Sequence, residues 1–195
     1  MADEIKKWDS PKNSPEVKII KSFGFGDDTL DAYTILYEYG LSTEFDEKVE
    51  EEAQKISAEI TKEEVKKRRD MRGDLTFTID PVDAKDFDDA ISFKKIKDNK
   101  YEVGIHIADV SHYVRPGSKI EEEAQNRATS VYLVDRVIPM LPETLSNNLC
   151  SLRPNEEKLT FSAVFVMNKN GDIKEEWFGK TITESDVRFS YCLLY

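Results

Sequence analysis

Cysteine and histidine are each present only twice in 195 residues, as Cys150 and Cys192 and as His106 and His112, with no CxxC pair. That scarcity excludes a disulfide framework and a Cys/His zinc site, and both thiols are expected as buried free side chains. Long apolar runs are also missing. No window approaches the ~18 consecutive apolar residues of a membrane helix, and the opening MADEIKKW, Met1 to Trp8, has no apolar signal segment. A cytoplasmic protein with no membrane partner is expected. Positive charge is in deficit, 28 Lys+Arg against 39 Asp+Glu for a net charge of −11. Bulk charge therefore excludes a simple basic nucleic-acid-binding domain. What is present, 39% hydrophobic and 34% charged residues, suits a folded core under a heavily charged surface. The length fits one or two domains of ~100–200 residues.

Residues 1–15 are polar and broken by Pro11 and Pro15, which reads as a disordered start. Val17 to Phe23 reads as a strand, and Gly24 to Asp28 as a turn whose Asp28 caps a helix from Thr29 to Tyr39. Leu30, Tyr33 and Tyr37 would form that helix's apolar face, with Gly40 as its left-handed stop. Ser42 to Arg69 is a dense charge pattern fitting two short helices, with Thr61 and Glu64 as a capping box. It ends in the basic cluster Lys66, Lys67, Arg68 and Arg69, expected as a solvated linker face, with phosphate contact the rival reading. After Gly73 the period becomes two. Strands are expected at Thr76–Ile79, Ala90–Ile96 and Tyr101–Ile107, with an Asp98-Asn99 turn between the last two. Ser118 and Glu121 cap a helix reaching about Ser130. Leu159, Phe161, Ala163, Phe165 and Met167 alternate in a strand that turns at Asn170-Gly171 into Ile173–Ile182. The fold class is α+β, a mixed and mainly antiparallel sheet with helices.

Asp80 to Ala90 reads DPVDAKDFDDA, five aspartates in eleven residues lying between two apolar strands. Pro81 keeps the stretch out of a central ladder, so it is a loop in which Asp80, Asp86, Asp88 and Asp89 can converge. Gathered carboxylates repel one another unless a cation neutralises them. Mg²⁺ prefers such oxygen ligands, and two ions ~3.5–4 Å apart can clamp both oxygens of an in-line phosphoryl displacement. The spacing excludes an EF-hand. Asp86 and Asp88 alone form a DxD pair of the kind used by sugar-nucleotide transferases, and an acidic surface turn without metal is the plainest alternative.

Further blocks follow in order: Leu75 to Ala90, then GIHIADVSHYV from Gly104 to Val114, IPMLP from Ile138 to Pro142, and LCSLRP from Leu149 to Pro154. Together they resemble the first part of the catalytic (RNB) domain of the ribonuclease II / ribonuclease R family, over about Arg68 to Phe189. Pro15 to Thr29 is similar to the last strand of a cold-shock-type OB domain. The resemblance implies three regions: 1–28 as a disordered start and OB strand, 29–70 as a charged helical linker, and 71–195 as the N-terminal portion of the catalytic domain. It implies a processive 3′→5′ exoribonuclease that hydrolyses single-stranded RNA to nucleoside 5′-monophosphates with Mg²⁺, using a two-metal site in the complete domain. Asp80, Asp86 and Asp89 would chiefly hold metal, with Asp88 also at the metal and indispensable to cleavage. Tyr132 would stack on the 3′-terminal base, which tolerates any sequence.

Lys85 inside the loop is expected to offset charge or touch phosphate, and Arg115, Arg127, Arg136 and Arg153 are candidates to line an RNA channel. His106 and His112 are expected to be structural rather than general bases. The family's catalytic domain continues well past Tyr195, and Cys192 to Tyr195 departs from its pattern, so a fragment is expected, with sheet edges and apolar surface uncovered. The rival functions are a noncatalytic RNA- or protein-binding remnant and the DxD transferase. No small-molecule cofactor beyond metal is expected.

Overall fold

The computed structural model describes residues 2–21, 30–97, 99–133 and 136–191. Phe23, the turn Gly24 to Asp28 with its cap, Asp98, and Cys192 to Tyr195 lie outside the described residues. The chain forms two compact units, Met1–Phe45 with Ser130–Ile138, and Asp46–Thr129 with Pro139–Tyr195. The boundary expected at 70/71 thus falls inside the second unit.

In the first unit, β1 (Ala2–Lys7) pairs antiparallel with β2 (Glu16–Lys21), Ile5 opposite Val17. The start of the chain is therefore a strand and not a disordered tail. The polar reading missed it because a two-stranded ribbon leaves both faces to solvent and needs no apolar alternation. The expected breaker Pro11 sits within the connecting turn, where Asn13 N donates to Ser10 O at 3.0 Å and Trp8 Nε1 to Asn13 O at 2.9 Å. Helix α1 (Leu30–Glu38) ends at Gly40 with φ +66°. Among the described side chains of this helix Leu36 is buried and Tyr37 is exposed, while Leu30 and Tyr33 of the expected face lie outside the described side chains. In the same unit β7 (Val131–Tyr132) pairs with β8 (Val137–Ile138).

The second unit opens with α2 (Glu47–Gln54), capped by Asp46, and α3 (Lys62–Lys66), whose Thr61 hydroxyl accepts from Glu64 N at 3.2 Å. Its body is a seven-stranded sheet of β3 (Arg69–Asp70), β4 (Leu75–Asp80), β5 (Asp89–Lys95), β6 (Lys100–Ala108), β9 (Glu157–Asn168), β10 (Ile173–Glu184) and β11 (Val187–Ser190). The order is β11-β4-β5-β6-β9-β10-β3, antiparallel through its middle, with β11 parallel to β4 and β3 parallel to β10 at the edges. Between β6 and β9 lie α4 (Val110–Tyr113), α5 (Lys119–Arg127) and a π-helical turn, Leu145–Leu149. Helix α5 stops earlier than expected because Ala128 adopts φ +63°.

Period two located the strands, and the face buried along their middle is largely polar. Thr76, Thr78, Ser92, His106, Thr160, Ser162, Thr181 and Thr183 are all buried. They are linked in part by hydroxyls, Thr160 to Thr181 at 2.6 Å and His106 Nδ1 to Ser162 Oγ at 2.6 Å. The opposite face presents Leu75, Phe93, Ile105, Ile107, Phe161 and Phe178, each between 42% and 56% exposed. Burial lowers the His106 imidazole to about 4, so it is a neutral structural group, as expected.

The basic cluster also needs correcting, since Arg68 is neither solvated nor available to phosphate and Arg69 is only partly exposed. The Arg68 side chain is fully buried: Nη2 donates to Asp109 Oδ2 at 2.7 Å, Nη1 to the carbonyls of Thr160 and Thr181, and Nε to Glu64. Arg69 pairs with Glu102 at 2.8 Å and lies over Trp177. Burial alone would raise Asp109, but hydrogen bonds from Arg68, Ser111 and Lys180 hold its carboxyl below the usual range. Among the described residues no helix is long and apolar enough to cross a membrane.

Breaking a buried pair strands its partner charge, so Arg68→Ala is expected to cost ~3–5 kcal/mol of stability, read by urea unfolding. The apolar sheet face is expected to bind a hydrophobic dye and to drive self-association. Phe161→Ser with Phe178→Ser should reduce both without loss of the far-ultraviolet strand signal; a parent chain that stays monomeric in the ultracentrifuge and ignores the dye would contradict this.

Candidate active site

The acidic loop joins β4 to β5, and its main chain is fixed from three directions. Pro81 ends β4, and Ala84 N donates back to Pro81 O at 3.1 Å, closing a turn. After the π-helical turn, Ser151 enters from the side. Its buried hydroxyl donates to Lys85 O at 2.7 Å and accepts from Phe87 N at 3.1 Å, while Leu152 N donates to Phe87 O at 2.8 Å. From β6, Ala108 N donates to Asp88 O at 3.0 Å. From β11, Arg188 Nη2 donates to the carbonyls of Pro81 and Val82, both at 2.6 Å. Phe87 is buried beneath this frame. Every one of these contacts is to loop backbone, so none consumes a carboxylate.

The four aspartates lie within electrostatic reach of one another. Asp88 is pushed up to about 6, first by desolvation and then by the charges of Asp86, Asp89 and Asp80. The residue keeps exposed surface, so solvent screens part of this effect. Asp80 is raised chiefly by burial, with the charges of Asp89 and Asp86 adding, while the Arg188 guanidinium opposes. That opposition is incomplete, since neither Asp80 Oδ2 nor Thr78 Oγ1 has a hydrogen-bond partner although both are buried. Among the described residues no three His, Cys, Asp or Glu side chains are drawn together tightly enough to form a ready metal shell. The donor set nevertheless fits a hard cation: all oxygen, mutually repelling, with one buried oxygen left unpartnered.

The other sequence candidates are scattered. Lys85 is exposed within the loop. Arg153 lies two residues after the Ser151 anchor and pairs with Glu156 at 2.6 Å. Burial would raise Glu156, but hydrogen bonds from Lys158 and Arg153 keep it low. Arg115 is exposed just beyond α4. Arg127 is engaged with Glu123 and with Pro139 O. Tyr132 on β7 is exposed and, like Arg136, belongs to the first unit, not to the unit that carries the aspartates. Cys150 is buried as expected, its thiol pushed up to about 12 by burial and by the nearby Asp88 charge. The sequence reading missed Ser151 as an anchor and missed Arg188 altogether, because a single residue contacting backbone 64 to 107 positions away leaves no local pattern.

An RNB domain model matches residues 68–194. Over 190 residues the chain is 45% identical to the DIS3-like exonuclease 2 of Xenopus tropicalis, covering 96% of this chain and 23% of that protein. It is 42% identical to the ribonuclease R of Thermotoga maritima, covering 96% and 27%. The chain thus spans about a quarter of the length of these curated relatives. Mycoplasma genitalium RNase R, solved in complex with double-stranded RNA, superposes with a TM-score of 0.87 at 33% identity, over 98% of this chain and 34% of that one.

A carboxyl raised by folding binds its proton more tightly when folded, so Asp88 makes the chain less stable as pH climbs from about 4 to about 6. Asp88→Asn is therefore expected to raise the thermal midpoint at pH 7.5, with the gain vanishing below pH 4. An unchanged difference between parent and variant across that range would refute the assignment.

Proposed function

Because the chain belongs to the RNB-domain family, we propose that it supplies the acidic centre of a processive 3′→5′ exoribonuclease that degrades single-stranded RNA to nucleoside 5′-monophosphates with Mg²⁺. The observation that carries this reading is the anchored loop: four carboxylates within electrostatic reach of one another stand on a backbone held by Ser151 and Arg188, with Asp80 Oδ2 buried and unpartnered. Asp80, Asp86 and Asp89 hold the cation, and Asp88, the most perturbed of the four, is the group cleavage depends on. When bound, Mg²⁺ would polarise the phosphodiester and lower the pKa of an attacking water. Tyr132 stacks on the 3′-terminal base, and Lys85, Arg115 and Arg153 meet phosphates, which fix position without reading sequence. Such local cations can act despite the net charge of −11, because fields beyond ~10 Å are screened at ordinary ionic strength. The same reading places the protein in the cytoplasm with single-stranded RNA as its partner. A transferase using Asp86 and Asp88 alone would leave Asp80, with its buried Oδ2, and the neighbouring Asp89 without a role.

The test is digestion of a 5′-labelled single-stranded RNA by the chain with and without Mg²⁺, beside Asp88→Asn. A ladder of shortening products that needs Mg²⁺ and is at least ~10²-fold weaker in the variant is expected, the scale of losing one electrostatic catalytic group. Folded protein that yields no product, or a variant as active as the parent, would overturn the proposal for this chain.

A further inference from the structure

Strand β11 runs parallel to β4 with Arg188 opposite Thr78 and Ser190 opposite Asp80, which sets the Arg188 side chain beside the exit of β4 into the acidic loop. There its Nη2 donates to two successive carbonyls, Pro81 and Val82, at 2.6 Å each. Its Cζ also lies 4.8 Å from the centroid of the Phe87 ring. One guanidinium therefore touches the loop at two separated places, immediately after Asp80 and between Asp86 and Asp88. We propose that Arg188 is the positioning residue of the acidic loop: it fixes the spacing of Asp80 from Asp86, Asp88 and Asp89 by clamping the Pro81–Val82 carbonyls against the Phe87 ring.

What those carboxylates then do rests on the exoribonuclease reading; the clamp itself does not. The role is suited to arginine. A planar fork can donate to two carbonyls while its face lies on an aromatic ring, whereas a lysine ammonium is a compact charge that cannot do both. The Arg188 guanidinium also favours the ionised form of Asp80. Ser151 fixes the other flank of the loop but is wholly buried, so its replacement would mix positioning with packing. Arg188 sits at a partly exposed site on an edge strand and separates the two.

The test compares Arg188→Ala and Arg188→Lys with the parent by amide hydrogen exchange and by Mn²⁺ titration. Exchange at the Ala84 and Phe87 amides should rise about tenfold or more in both variants, with Ile105 in β6 unchanged. Mn²⁺ affinity should fall by ~10–100-fold, the range for residues that orient metal ligands. Unchanged exchange at Ala84 and Phe87 would overturn the clamp, as would full recovery of both readouts by lysine, which would make charge alone sufficient. Faster exchange at Ile105 in both variants would also overturn it, showing a general role in the sheet. A parent that binds no Mn²⁺, or whose binding ignores Asp80→Asn, would instead sink the exoribonuclease reading, and the exchange rates would still decide the clamp.

Discussion

The Arg68 guanidinium ties the helical lead-in to the sheet, and the placement of the acidic loop follows from that tie. It reaches Glu64 in α3, the carbonyls of Thr160 in β9 and Thr181 in β10, and the Asp109 carboxylate at the end of β6. A charge removed from water this completely is tolerated only when its donors are met, and here Nε, Nη1 and Nη2 all find acceptors. Asp109 is in turn held by its own amide, which donates to Leu159 O at 2.9 Å. Its chain neighbour Ala108 bonds the Asp88 carbonyl. A continuous set of polar contacts thus runs from the helices through the β6 terminus to the candidate site.

The strands were legible because backbone pleating imposes period two whatever the side chains do. Which face would be covered was not. Leu, Ile and Phe occupy one parity of β6 and β9, and hydroxyls, glycine and histidine the other; the ordinary expectation puts the first set inside. In this chain most of the second set is buried, with hydroxyl contacts such as Thr160 to Thr181 linking neighbouring strands, while Leu159 of the first set and Val164 of the second are buried too. A Cβ at Gly104 would fall 2.4 Å from Ser92 Oγ and 2.6 Å from His106 Nε2. That packing is too close for the larger apolar residues.

The acidic loop was legible for a different reason, its density of one residue type next to a proline. Its supports were not, since they come as lone residues distant in sequence. Arg68 shows the same limit: within Lys66 to Arg69 nothing in the letters separates the buried arginine from exposed lysines. The distinction arises only when α3 docks and aims one side chain at Asp109. Tyr132 was proposed from its motif, and its strand pairs within the first unit, whose arrangement against the aspartates no local pattern encodes.

Apart from the Phe87 ring, the loop is gripped through its carbonyls and amides and not through its side chains, and this has a consequence for how such a site can change over generations. Any residue that leaves the backbone path intact is acceptable at Val82 and Asp83, whose side chains take no part in the hydrogen bonds that hold the loop. Substitutions at Ser151 or Arg188 would have no such latitude. Sequence drift should therefore accumulate inside the loop, between its functional aspartates, while the restraint lies in strands and turns that carry no chemistry of their own.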